Sequence, residues 1–167
     1  MTTAGTHTAY DTTYGTNAAE NYEKYFVPVI GGPFATDLVN DAKLERGEGV
    51  LDVACGTGTI ARLAAERVGP TGRVAGLDVN AAMLDIARSL RTAIPVKWYE
   101  TSAESVPLPD ESFDVVICGL ALQFFEDKSA AVREMRRVLK PGGRAYISTP
   151  IPNDFFNVLD RAIARHV

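Results

Sequence analysis

Two carboxylates, Asp52 and Asp78, flank a glycine-bearing stretch, Val50 to Ala61, that reads VLDVACGTGTIA. Glycine at 56 and 58 permits positive φ and removes the side chain, so a ligand can approach the backbone closely. The helix expected to follow offers unpaired N–H groups. Gly56, Gly58 and Ala61 satisfy G-x-G-x-x-A, and Asp78 lies 20 residues beyond Gly58. A carboxylate at that spacing suits a pair of ribose hydroxyls, so a nicotinamide dinucleotide is one ligand compatible with these residues.

Asp52 weighs against that ligand. A pyrophosphate at the helix start would be repelled by a carboxylate at the end of the preceding strand, where screening is weak. A cationic ligand would be attracted instead. S-adenosylmethionine carries an α-ammonium, a sulfonium and a ribose, and Asp52 and Asp78 suit it as a pair. The two cysteines, Cys55 and Cys118, sit in apolar runs without metal-ligand spacing and read as free buried thiols. His7 and His166 lie near opposite ends, so no metal site is expected.

The elements that must position these residues follow from hydrophobic period and punctuation. Residues 1–17 are rich in Thr, Gly and Ala without periodicity and read as a mobile arm. AAENYEKYF gives a short helix with Tyr22, Tyr25 and Phe26 on one face, GGP at 31–33 a break, and FATDLVNDAKL a second helix ended by Gly47 and Gly49. Residues 18–46 form a helical cap on this reading. From residue 47 to 167 short apolar runs alternate with amphipathic segments. GVLDVA, RVAGLDV, PVKWYE, FDVVICG and RAYIST are strands; TIARLAAERV, AAMLDIARSL and SAAVREMRRVL are helices; KPGG is a turn before the fifth strand. Such alternation predicts an α/β fold with a doubly wound, Rossmann-like, mostly parallel sheet and ligands at the carboxyl ends of its strands. Arg133, Arg136, Arg137 and Lys140 flank Val132, Met135 and Leu139 and read as the solvated face of an amphipathic helix.

Taken together, LDVACGTG, GLDVNAAML, TSAESVPLPDESFDVVICGLALQFFED and EMRRVLKPGG resemble, in order, the motifs of the class I S-adenosylmethionine-dependent methyltransferases, in particular the ubiquinone/menaquinone-biosynthesis-like branch that acts on small molecules. The resemblance runs from about Tyr22 to Thr149. It implies that Asp52, Ala54, Gly56 and Gly58 line the methionyl part of the cofactor, that Asp78 takes the ribose hydroxyls, and that Val79 and Met83 flank the adenine. Ala103 would offer its N–H to the adenine ring, with Ser102 where an aspartate often accepts the adenine amino group and Glu104 beside it. The resemblance also implies that Tyr22 belongs to a helix that covers the cofactor and that Gly119 to Phe125 face the methyl-transfer side, with Gln123 the polar residue near the sulfonium or the substrate. Ala54 stands where the family more often has glycine. No catalytic base is identified; Glu104 and Asp127 are candidates by position alone.

The family sheet has seven strands in the order 3-2-1-4-5-7-6. Five are legible here, 3-2-1-4-5, followed by a loop and a final helical pattern, FFNVLDRAIARHV, so the last two are expected to be missing. That expectation carries an exposed fifth-strand edge, homodimerisation through it or through the last helix, and a cofactor-binding fragment or binding module with little turnover as the alternative to an active enzyme. A net charge of −4 without basic blocks argues against nucleic acid. No apolar run is long enough to span a membrane and the N-terminus lacks signal-peptide character, so a cytoplasmic location is expected.

Overall fold

A computed structural model describes residues 17–150. Its centre is a five-stranded sheet of order β3-β2-β1-β4-β5, built from β1 (Gly49–Val53), β2 (Arg73–Asp78), β3 (Val96–Glu100), β4 (Phe113–Gly119) and β5 (Leu139–Ser148). Every pairing is parallel, with Asp52 opposite Gly76 on one side and Ile117 on the other. β1 is buried along its whole length, as a central strand covered on both faces must be.

Strand alternation sorts the residues into two cores. Leu51, Val53, Ala75, Leu77, Val116 and Cys118 meet Met135 and Val138 of α5 (Lys128–Val138) on one face. Val50, Val74, Val115 and Ile117 meet Val39 of α2 (Gly32–Asp41) and the Ala61, Ala64, Ala65 and Val68 stripe of α3 (Thr59–Val68) on the other. Because the period is two, Asp52 shares a face with Val50, beneath α3. The outer helix α4 (Ala81–Ser89) starts at Asn80, whose side chain accepts the Met83 N–H at 3.2 Å.

Three details depart from the sequence reading. GGP does not break the N-terminal helix: α1 (Ala18–Asn21) runs into a ten-residue π-helical stretch, Tyr22–Gly31, and then into α2 without interruption. Gly31 and Gly32 hold ordinary helical angles, and Pro33 sits in the first turn of α2, where its missing N–H costs little. KPGG does not precede the fifth strand but is absorbed into it as an irregularity: Phe113 pairs with Leu139 and Val115 with Arg144, Asp114 holds Lys140 at 2.6 Å across the gap, and Gly142 supplies φ +78°. The third concerns the arginines. Arg137 does not belong to a solvated face: its Nε and both Nη groups donate to Glu134, Asp110 and the carbonyls of Val106 and Leu108, which pins the loop 101–112 to α5.

The expected N-terminal arm and the final helical pattern lie outside the described residues, apart from Asn17. Among the described residues no helix is long and apolar enough to cross a membrane, and no group of His, Cys, Asp and Glu could hold a metal ion.

Candidate functional site

The glycine loop leaves β1 at its carboxyl end with Ala54 at φ +56°, then Gly56 at +53° and Gly58 at +81°. Ala54 therefore adopts the left-handed conformation that glycine tolerates best. The two glycines do different work. A side chain on Gly56 would meet only the ring of Tyr22, at 3.9 Å, so this is the open side of the loop. One on Gly58 would strike Trp98 at 2.5 Å, so its space is already filled by the protein. Gly119 is likewise closed, by Ile60 at 2.4 Å. Close packing against the Trp98 ring and a left-handed φ account for glycine at 58, whereas at 119 the close neighbour is the movable tip of Ile60.

Asp52 is fully buried. Its Oδ2 accepts the Ala61 N–H at 2.9 Å, which caps α3 from inside the sheet while the N-cap residue Gly58 offers no side chain to do so. Burial, backed by the charge of Asp78, outweighs that hydrogen bond and pushes the Asp52 pKa up to about 8. The nearby Arg62 charge lowers it too, but burial prevails and the carboxyl is held near its protonated form. Asp78 ends β2 on the same face. Its Oδ2 accepts from Gly56 N at 2.8 Å and its Oδ1 from Asn80 N at 2.9 Å, and burial raises its pKa against those two bonds. The second carboxylate thus shapes the glycine loop directly. Burial, with Asp52 and Asp78 beside it, drives the Cys55 thiol well above its usual range, and burial pushes Cys118 up to about 12. Both cysteines are free and buried. They are packing residues, not nucleophiles.

Three buried side-chain oxygens lack hydrogen-bond partners among the described residues: Glu23 Oε2, Asp52 Oδ1 and Thr57 Oγ1. All three belong to the glycine loop, the strand feeding it, or the helical segment above it. Two of those residues were not singled out from sequence, and neither was Arg62, which joins them. Its Nη1 donates to Thr57 O at 2.5 Å and its Nη2 to Glu23 Oε1 at 3.1 Å. Nothing in the residue pattern ties Glu23 to Arg62, since they are 39 positions apart.

The remaining candidates fall around this loop with different degrees of commitment. Val79 is 58% exposed beyond Asp78, while Met83 is buried. Ala103 is part of the α5-side core, and Ser102 Oγ accepts the Glu104 N–H at 3.1 Å. Glu104 Oε1 accepts from Asp127 N at 3.0 Å, and Asp127 is the N-cap of α5, accepting from Ala130 N at 2.8 Å. Both candidate bases therefore serve the start of one helix. Gln123, exposed in a short 3-10 turn (Leu122–Phe124) after β4, donates its amide to Leu120 O at 2.7 Å. Leu120 is itself at φ +54°, so the ends of the neighbouring strands β1 and β4 both carry a non-glycine residue in the left-handed region. An apolar groove of about 500 Å³ lined by Val27, Pro28, Pro33, Thr36, Thr59 and Leu63 lies to the side, between the N-terminal helices and α3, and touches this constellation only at Thr59, an acceptor of Arg62.

A sheet of order 3-2-1-4-5, a glycine loop after β1 and a buried acid on each of β1 and β2 define the comparison to be made. Residues 51–147 match the family model described as a methyltransferase domain. The chain belongs to that family. It is 44% identical over 114 residues to the ubiquinone/menaquinone biosynthesis C-methyltransferase UbiE of Xanthomonas oryzae, a match covering 66% of this chain and 45% of the relative. It is 42% identical over 115 residues to the demethylmenaquinone methyltransferase of Listeria monocytogenes, covering 66% and 48%. Among solved structures it superposes on the [4+2]-cyclase SpnF with a TM-score of 0.59 and 34% identity, over 68% of this chain and 43% of that one. The chain spans about half the length of the curated relatives it matches. The family assignment rests on the strands and loops that make this site.

Proposed function

We propose that the protein binds S-adenosylmethionine across the ends of β1 and β2 and transfers its methyl group to a small-molecule acceptor. The observation that carries the reading is the set of buried oxygens on Glu23, Asp52 and Thr57 that lack partners among the described residues, drawn from the glycine loop, the strand that feeds it and the helical segment next to it. Leaving such oxygens unsatisfied is costly, and the two carboxyl groups among them, once Asp52 has given up its proton, suit a donor-rich cation and repel a pyrophosphate, whereas the Thr57 hydroxyl serves either ligand. The acceptor set thus suits an amino-acid ammonium. The names of the curated relatives support a quinone-class acceptor.

In this reading Asp52, Ala54 and Gly56 hold the amino-acid end, Asp78 accepts from the ribose hydroxyls, and Val79 and Met83 flank the base beside Ser102, Ala103 and Glu104. Tyr22, over Gly56, closes the site from the helical cap of residues 18–46. When bound, the cofactor supplies an electrophilic methyl on a sulfonium. The chain's part is to align the acceptor with that methyl and keep water out, and alignment of this kind is worth about 7 to 11 kcal/mol. Gln123 is the polar residue nearest the exit of β4 for orienting an acceptor. With Glu104 and Asp127 committed to α5, no proton transfer is assigned to either. The net charge of −4 keeps nucleic acid out of the reading.

Calorimetry on the full chain with S-adenosylmethionine, S-adenosylhomocysteine and NAD tests this directly. One-to-one binding of the first two and none of the third is expected. Tighter binding of NAD would sink the proposal.

A further inference from the structure

Arg62 occupies the first turn of α3, where a positive charge opposes the helix dipole, and α3 has no acid in that turn to offset it. Its side chain turns back across the helix start instead. Nη1 takes the carbonyl of Thr57 in the middle of the glycine loop, and Nη2 takes Thr59 Oγ1 at 3.3 Å and Glu23 Oε1 at 3.1 Å. The Arg62 and Glu23 side chains keep only 19% and 25% of their surface in solvent, so the pair is mostly shielded from water. Glu23 is contributed by the π-helical stretch, one residue after Tyr22, whose ring stacks on Phe26 at 4.8 Å and lies over Gly56. The wide winding of that stretch is rare and frequently marks functional positions.

We infer that Glu23 and Arg62 form a latch that fastens the N-terminal helical segment over the glycine loop and sets how long a bound cofactor is retained. The inference rests on the reading above that the loop binds S-adenosylmethionine, and it adds a specific pair of positioning residues to that site. One guanidinium connects the loop backbone to the covering segment, so both must be in place at once. Glu23 Oε2, buried and without a hydrogen-bond partner among the described residues, is left to complete the acceptor set when the latch is closed. A pair with a purely structural role would affect melting and leave ligand exchange unchanged.

The test is the dissociation rate of S-adenosylhomocysteine from the full chain, measured by stopped flow or surface plasmon resonance for the wild type, Glu23→Gln, Arg62→Met and the double variant, with circular dichroism to check folding. Each single change is expected to raise the dissociation rate about tenfold, Glu23→Gln by leaving Arg62 only a neutral acceptor in place of a charged one and Arg62→Met by removing the contact altogether. The double variant is expected to be no worse than the poorer single one, because the two residues act through one contact. Single variants within twofold of wild type, or effects that add in the double variant, would overturn the latch while leaving the cofactor reading intact. Glu23→Gln keeps the bond from Arg62 to Thr57, and the inference stands or falls on that variant if Arg62→Met does not fold. Failure of the wild type itself to bind S-adenosylhomocysteine would strike the functional reading instead.

Discussion

Asp52 combines two roles that pull its protonation in opposite directions. As an internal cap it should be ionised, since an anion at a helix N-terminus is stabilising; as a fully buried group next to Asp78 it should be neutral. Burial wins, and the consequence for stability has a definite sign. The folded chain keeps the Asp52 proton up to about pH 8, whereas the unfolded chain releases it near the ordinary value of 3.8. Between those limits the folded state binds more protons, so stability is fully present below about pH 4 and is lost progressively as pH rises through 8. Asp52→Asn removes this contribution and keeps an oxygen for the Ala61 N–H. Its melting temperature is expected to fall less than the wild type's between pH 5 and 8.5, and parallel curves would show that the carboxyl titrates normally. Asp78→Ala probes the neighbouring acid. Affinity for S-adenosylmethionine should drop by roughly 1.5 to 3 kcal/mol for the ribose contact, as seen by calorimetry. The same change releases the Gly56 N–H, so the glycine loop should also lose protection from hydrogen exchange.

At the scale of elements, the β1–loop–α3 unit is held by backbone geometry that single substitutions can probe. Ala54→Gly relieves a left-handed alanine worth about 1 to 2 kcal/mol and gives back about 0.5 to 1 in chain entropy, so its melting temperature should be equal to or above the wild type's. Gly58→Ala should go the other way, by roughly 2 to 5 kcal/mol in urea unfolding, because it adds left-handed strain to a collision with Trp98 at 2.5 Å. A tolerated Gly58→Ala would mean that the β3 side of the loop is far looser than it looks. These positions also show where sequence reading succeeds. TIARLAAERV and FDVVICG announce α3 and β4 to the residue, because period and flanking signals agree there. Glycines 56 and 58 were legible as loop residues, but which of them faces open space depends on Trp98, a residue two strands away in the sheet order. GGP misled because helical glycine and a first-turn proline are cheap when neighbouring helices pack around them. Glu23 and Arg62 were invisible for the same reason that makes them informative: their meeting is purely tertiary.

Across the whole molecule, burial, ligand and proton are linked, and that linkage separates the amino-acid end of the site from the base end. A ligand present at 100 times its Kd adds about 2.7 kcal/mol to folding stability, a rise in melting temperature of roughly 5 to 10 °C for a chain of this size. On the proposed reading S-adenosylhomocysteine brings an ammonium to Oδ1 of Asp52, which lacks a partner among the described residues, and an ionised Asp52 is what that ammonium prefers. Below about pH 8 the protein must first give up a proton, so affinity should climb with pH, by at most about tenfold per unit for one proton, and level off above it. 5′-Methylthioadenosine has the same base and ribose but no ammonium. If Asp78 and the adenine segment hold the ribose and base as proposed, they act on both ligands alike, so the pH dependence of the ratio of the two affinities isolates Asp52. That ratio, followed by calorimetry from pH 6 to 8.5, should grow in favour of S-adenosylhomocysteine in the wild type and stay flat in Asp52→Asn. A flat ratio in the wild type would place the ammonium away from Asp52 and leave its unpartnered oxygen without an explanation.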